Sequence, residues 1–190
     1  MSQSHSLKVM KKVILSVMAS LFTLGVNAGN VMEPEYNGQV AIVNADSTTT
    51  LLATEESEIK AKSNHLGYVP VAGMFLGKGL SYVVVKGKEA STKVTSKDVT
   101  LIVRVKNHDD NPVSTVGIVK YESKKKERRW LMSESGLLSG TSVKTIVGNV
   151  KFEAKKYGES SYLITVKGLE PGEYGVYVSA VESASTFSVK

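Results

Sequence analysis

Residues 98–106 read Asp-Val-Thr-Leu-Ile-Val-Arg-Val-Lys, and this stretch decides the fold. Val99, Leu101, Val103 and Val105 alternate with Thr100, Arg104 and Lys106, and Ile102 alone breaks the rule. Alternation with a period of two puts apolar groups on one face and polar groups on the other, so the stretch is a strand with one buried and one wet face. His108-Asp109-Asp110-Asn111-Pro112 then ends it, because proline has no N–H and Asn and Asp favour turns. Working outward, similar runs rich in Val, Thr, Ile and Tyr occur at 39–43, 48–53, 80–86, 114–121, 128–133, 143–154, 161–167, 173–181 and 186–189. Gly148 inside the run 143–154 marks a bulge or bend. Only 55–63 (EESEIKAKS) favours a helical turn or two. Links are short and no strand–helix–strand alternation is present, which argues against a parallel sheet. The pattern predicts an all-β, antiparallel β-sandwich of about seven to nine strands, with immunoglobulin-like or related Greek-key topology.

Residues 169–174 (LEPGEY) add topology. Leu169, a turn at Pro171-Gly172, and Tyr174 opening a strand match the tyrosine corner of Greek-key sandwiches, where the Tyr hydroxyl bonds back to the backbone upstream. The alternative is a plain Pro-Gly turn.

The first 28 residues read as an export signal. Met10-Lys11-Lys12 is a short basic start, 13–26 is uncharged and mostly apolar, and Val26-Asn27-Ala28 is a small-x-small cleavage site that leaves Gly29 first. Met10 is an alternative start to Met1. The apolar run falls short of the 20 or so residues a membrane-spanning helix needs, and no second such run follows. The expected organisation is a signal peptide at 1–28, a flexible lead-in at 29–38 and one sandwich domain at 39–190, in the periplasm or secreted. About 160 residues then remain, enough to bury roughly two-thirds of the surface of the unfolded chain. The formal net charge is +6, but Lys8, Lys11 and Lys12 lie in the leader, so the mature surface is only mildly basic and does not point to nucleic acid. The chain has no cysteine. Disulfides, lipid attachment at a leading Cys, a Cys nucleophile and a thiolate metal site are thereby excluded.

Several segments together carry a family resemblance: Gly87, 98–105, 124–129 followed by Trp130, 152–158 leading to Ser160-Ser161-Tyr162, and the C-terminal LEPGEYG at 169–175. From Gly67 to Tyr177 the chain resembles a group of uncharacterised exported all-β proteins of Gram-negative anaerobic bacteria. The resemblance implies a small exported β-domain and brings no activity, ligand or catalytic residue.

The candidate chemistry is sparse. His108-Asp109-Asp110 offers a His–Asp pair or a weak calcium loop, but Ser114 lacks the elbow motif of a nucleophile and calcium needs six or more oxygens. The bland alternative is a polar hairpin turn. Ser57-x-x-Lys60 and Ser123-x-x-Lys126 match a short motif whose partner motifs are missing. The one strong charge run is Lys124, Lys125, Lys126, Arg128 and Arg129, interrupted by Glu127 and followed by Trp130, the single tryptophan. It reads as a hairpin tip. As a candidate anion- or glycan-binding edge it would take lipopolysaccharide phosphates, acidic envelope glycans or the carboxylates of another exported protein, with Trp130 stacking on a sugar. The alternative is a solvated turn that discourages strand pairing, with Trp130 in the core. Tyr157, Tyr162, Tyr174 and Tyr177 are either a glycan platform or half-buried cross-strand partners. No cofactor and no metal is expected. The expected role is a non-catalytic binding or structural module of the cell envelope. The rival classes are a small outer-membrane β-barrel and, more remotely, a hydrolase. The triplet Val83-Val84-Val85 and the pair Ile118-Val119 put apolar groups on both faces, which fits a packed sandwich better than a polar barrel lumen.

Overall fold

The computed structural model describes residues 31–63, 78–136, 143–145 and 148–190. The expected signal peptide, with its cleavage before Gly29, lies outside the described residues.

The chain is almost entirely strand, in two antiparallel sheets packed face to face as an all-β sandwich. The sheets are not closed into a barrel. The described residues hold fourteen strands, more than the sequence pattern suggested. In the five-stranded sheet the order is β11 (Glu153–Tyr157), β12 (Ser161–Val166), β6 (Val99–Arg104), β1 (Val40–Val43) and β2 (Thr49–Leu51). The long sheet runs β10 (Val143–Thr145), β9 (Glu127–Gly136), β4 (Lys78–Lys86), β3 (Thr54–Ser63), β14 (Ser183–Val189), β13 (Gly172–Val178) and β7 (Val116–Lys120). Two short strands sit off this path. β5 (Lys93–Val94) pairs in parallel with β14, and β8 (Glu122–Ser123) pairs with β9.

The order β11-β12-β6-β1 against β7-β13-β14 reproduces the D-E-B-A and C-F-G sheets of an immunoglobulin fold. Two insertions enlarge it. One carries β2, β3 and β4, and the other carries β8, β9 and β10; they pair with each other where β4 meets β9. The chain through β7 and β8 is bonded first to β13 and then to β9.

One face of the alternation feeds the main core. Val99, Leu101, Val103 and Val105 point into the sandwich with Tyr162, Ile164, Tyr174, Val176 and Phe187. Ile102, the misfit of the pattern, is fully buried on the other face of β6, between Ala41 and Leu163 in register. A second core gathers Val83, Val85, Val119, Tyr121, Trp130, Tyr177 and Ala184, all from the long sheet and the chain between β7 and β8. Val83 and Val85 of β4, with Val119 of β7 and Tyr121 just beyond its end, supply this core through the same period of two.

The corner at 169–174 is formed. The Tyr174 hydroxyl donates to the Glu170 carbonyl at 2.7 Å, Leu169 is buried, and Gly172 lies at φ 154°, close against the Lys120 side chain. Tyr174 stacks on Phe187 with ring centres 5.4 Å apart.

Three expectations are corrected. Residues 55–63 are not helical: they make up most of the ten-residue β3, which pairs with β14 through 54–56 and with β4 through 57–63. Helix propensity amounts to a few tenths of a kcal/mol per residue and yields to two ladders of hydrogen bonds. The run 143–154 is not one strand. It divides into β10 and β11, with Gly148 at φ 64° between them and too close to the Ile118 carbonyl to carry a side chain without adjustment. There the Asn149 amide accepts from Lys120 N–H at 2.7 Å and donates to Lys120 C=O at 3.3 Å, taking the place of a partner strand.

The lead-in is the third. Residues 31–38 are fastened to the domain. Val31 and Pro34 are buried, and the Val31 carbonyl accepts the Tyr157 hydroxyl at 2.6 Å. The Glu33 carboxylate lies 2.9 Å from Arg104 Nη1, accepts the Glu159 N–H at 2.8 Å and takes the Ser161 hydroxyl. Gly158 has φ 55°, and a Cβ there would overlap Glu33 Oε1. Burial alone would raise the Glu33 pKa, but the Ser161 hydroxyl, the two backbone N–H donors and Arg104 together hold it below the usual carboxylate value.

Candidate functional site: the basic hairpin and the arginine beneath it

β8 and β9 form a hairpin whose tip carries the lysine run. Lys124 N–H donates to Glu127 C=O at 2.8 Å, closing the chain over Lys125 and Lys126. Lys124, Lys125 and Lys126 are all exposed. A strand alternates its faces, so the run continues Glu127 out, Arg128 in, Arg129 out and Trp130 in.

The charge run therefore divides. Lys124 pairs with Glu122, and Arg129 Nε lies 2.9 Å from the other oxygen of the same carboxylate. Those two hydrogen bonds hold the Glu122 carboxyl below its usual range. Arg129 also lies over the Tyr82 ring, 4.6 Å from its centre. Lys125 and Lys126 have no carboxylate partner among the described residues.

Arg128 is fully buried, and its assignment to a ligand-binding edge is corrected. Its Nε donates to the Gly87 carbonyl at 3.2 Å and its Nη2 to the Lys86 carbonyl at 3.0 Å. Nη2 also pairs with Glu55, and Nη1 lies 3.8 Å from Glu173. Both carboxylates are held in turn. Glu55 accepts the Thr186 hydroxyl, while Glu173 accepts Ala90 N–H at 2.7 Å and the Ser188 hydroxyl at 2.6 Å. A buried charge is tolerable only when it is paired and hydrogen-bonded; here Nε and Nη2 are hydrogen-bonded, while Nη1 has only the ion pair with Glu173. The Arg128 guanidinium lies 5.8 Å from the Tyr121 ring centre. The Tyr121 hydroxyl meets that of Tyr177 at 3.0 Å, and burial, followed by the neighbouring Tyr177, pushes the Tyr121 pKa up.

Trp130 is only 6% exposed and packs against Tyr177, with ring centres 5.8 Å apart. Its indole N–H is buried without a well-formed hydrogen bond. It belongs to the second core and offers no face to a sugar, so its place in the binding edge is corrected too. The cleft beside it, lined by Val113, Val116, Met132, Tyr177 and Val181, holds about 180 Å³. Small-molecule sites usually run to about 300–1,000 Å³.

The tyrosines do not form a glycan platform. Tyr162, Tyr174 and Tyr177 are buried, and Tyr157 is half-buried against Val31. Asp109 pairs with Lys156, and the Asp110 backbone carbonyl accepts the Tyr162 hydroxyl at 2.7 Å. Among the described residues no group of three or more His, Asp or Glu side chains is placed to hold a metal ion. Ser57 and Lys60 sit three apart on β3 and so face opposite sides of the sheet. Among the described residues no helix is long and apolar enough to cross a membrane.

Sequence reasoning missed the polar cluster around Arg128, although one signal was present. Reading Trp130 as core forces Arg128, two residues earlier on the same strand, to point inward as well. It also missed Glu33, whose partners lie about 70 and 128 positions away.

Comparison of the chain with protein-family models, with curated proteins and with solved structures finds no match.

Proposed function

We propose that the protein is an exported, non-catalytic immunoglobulin-like module of the cell envelope that binds anionic groups through the hairpin tip at Lys124, Lys125 and Lys126. The partners that fit are the phosphates of lipopolysaccharide, acidic glycans or the carboxylates of another exported protein. The observation that carries the reading is the separation of charge within one run. Arg128 is turned inward and neutralised by Glu55 and Glu173, while Lys125 and Lys126 stand exposed and without a carboxylate partner among the described residues. The leader at 1–28 supports a place in the periplasm or outside the cell.

Binding of this kind is Coulombic and exposed. It weakens as salt rises from about 0.05 to 0.5 M, because the screening length falls from roughly 14 to 4 Å. The test is binding of envelope extract to the mature domain across that salt range, with wild type against a Lys124→Ser, Lys125→Ser, Lys126→Ser triple variant. The expected result is salt-sensitive binding that the triple variant loses at unchanged stability, since exposed turn charges contribute little to folding. Equal binding by the two proteins refutes the reading.

A further inference from the structure

The tip does not stand alone. The β4–β9 register sets Lys86 opposite Glu127, and Gly87 N–H donates to the Lys126 carbonyl at 2.9 Å. From beneath, Arg128 takes the carbonyls of both Lys86 and Gly87. The turn 86–88 is thereby fastened against the tip 124–126, although 36 or more positions separate them in sequence. Lys86 answers Glu58 at 3.4 Å and Lys124 answers Glu122. Lys88, Lys125 and Lys126 are exposed and have no carboxylate partner among the described residues. Three lysines without a carboxylate partner among the described residues are thus carried on two segments fastened to each other.

Their chemistry selects the partner. Lysine offers a mobile point charge, without the planar fork with which arginine grips a single phosphate or carboxylate. The three ammonium groups are exposed, so none works in the dry, enclosed setting that gives one ion pair its strength. Such an arrangement gains most against a broad field of many anions. We propose that Lys88, Lys125 and Lys126 form one cationic footprint that docks the domain on the phosphate-bearing face of an anionic lipid layer. This rests on the proposed binding role of the tip and adds the second segment and the nature of the partner.

The test uses the mature domain and vesicles of phosphatidylcholine, with or without about one-third phosphatidylglycerol, read by co-sedimentation at low salt. The expected result is binding to the anionic vesicles alone. A lysine near such a surface changes partitioning about fivefold, so Lys88→Ser, Lys125→Ser and Lys126→Ser each lower binding by about that factor, and the three together by roughly a hundredfold. Lys155→Ser, an exposed cation on β11, leaves binding unchanged. A Lys88→Ser variant that binds like wild type overturns the two-segment footprint. An equal loss on Lys155→Ser also overturns it, because net charge alone is then at work. If the domain ignores the vesicles but binds a soluble acidic polysaccharide in a manner that needs Lys124, Lys125 and Lys126, the lipid assignment fails and the role of the tip survives. Binding to neither probe overturns the lipid footprint, and the role of the tip is then decided by the envelope-extract comparison of wild type with the triple variant.

Discussion

Replacing Arg128 by methionine tests the buried cluster most directly. The long apolar side chain fills much of the same space, so the change isolates the guanidinium. Its loss frees the Lys86 and Gly87 carbonyls and leaves Glu173, only 7% exposed at the side chain, without its nearest cation. Removing one partner of a buried ion pair typically costs about 3–5 kcal/mol, most of it the penalty of the charge left behind. For a domain of this size each kcal/mol lowers the melting temperature by about 2–4 °C, so the midpoint falls by roughly 6–20 °C. Urea unfolding followed by the fluorescence of Trp130, the single tryptophan, measures the loss. A cycle with Glu55→Gln measures the pair. Because Nη2 bonds Glu55 directly, the double variant loses less than the sum of the singles, by about 1 kcal/mol or more. A buried pair is little screened, so added salt leaves the loss in place. A loss of under about 1 kcal/mol, or one that disappears in salt, would show a solvated Arg128 and refute the inward orientation of the run.

The remaining predictions concern the corner, the second core and the fastened N-terminal segment. Tyr174→Phe removes the bond to Glu170 C=O and costs about 1–3 kcal/mol by urea unfolding; no measurable change would reduce the corner to an ordinary turn. Trp130→Ala costs about 3–5 kcal/mol, and wild-type Trp130 resists acrylamide quenching; ready quenching would contradict its burial. Glu33→Gln lowers stability near neutral pH through loss of charge-assisted bonds to Arg104 and Ser161. Because the folded pKa of Glu33 is depressed, its contribution is full above the unfolded value of about 4.3 and is lost as pH falls through the folded value. Wild type and Glu33→Gln therefore converge in unfolding measurements as pH drops below about 4. A constant difference down to pH 3 would mean that the carboxylate does not hold the segment.

What could be read beforehand was local. The alternation of 98–106 located β6 and its four inward residues, and the spacing of Leu169, Gly172 and Tyr174 located the corner, because both patterns close within a few positions. What could not be read depends on partners far away. Residues 55–63 carry a helical composition, and only pairing with β4 and β14 makes them a strand. Five cations in six residues look like a solvated patch until the phase of β9 is known, and that phase turns Arg128 inward onto Glu55, 73 positions earlier. Lys88 joins the lysine tip through the register of two insertions that no local pattern records.

The clasp on Glu33 also decides how the domain carries load. A pull applied ahead of Val31 does not reach β1 directly. It meets first the Val31 carbonyl held by the Tyr157 hydroxyl and then the Glu33 carboxylate held by Arg104, the β11–β12 turn and the Ser161 hydroxyl, so tension passes across the five-stranded sheet before it can run along its fourth strand. If the chain ahead of Val31 is tethered to another body, this short stretch is the mechanical coupling, and β1 is spared direct load until the clasp has given way.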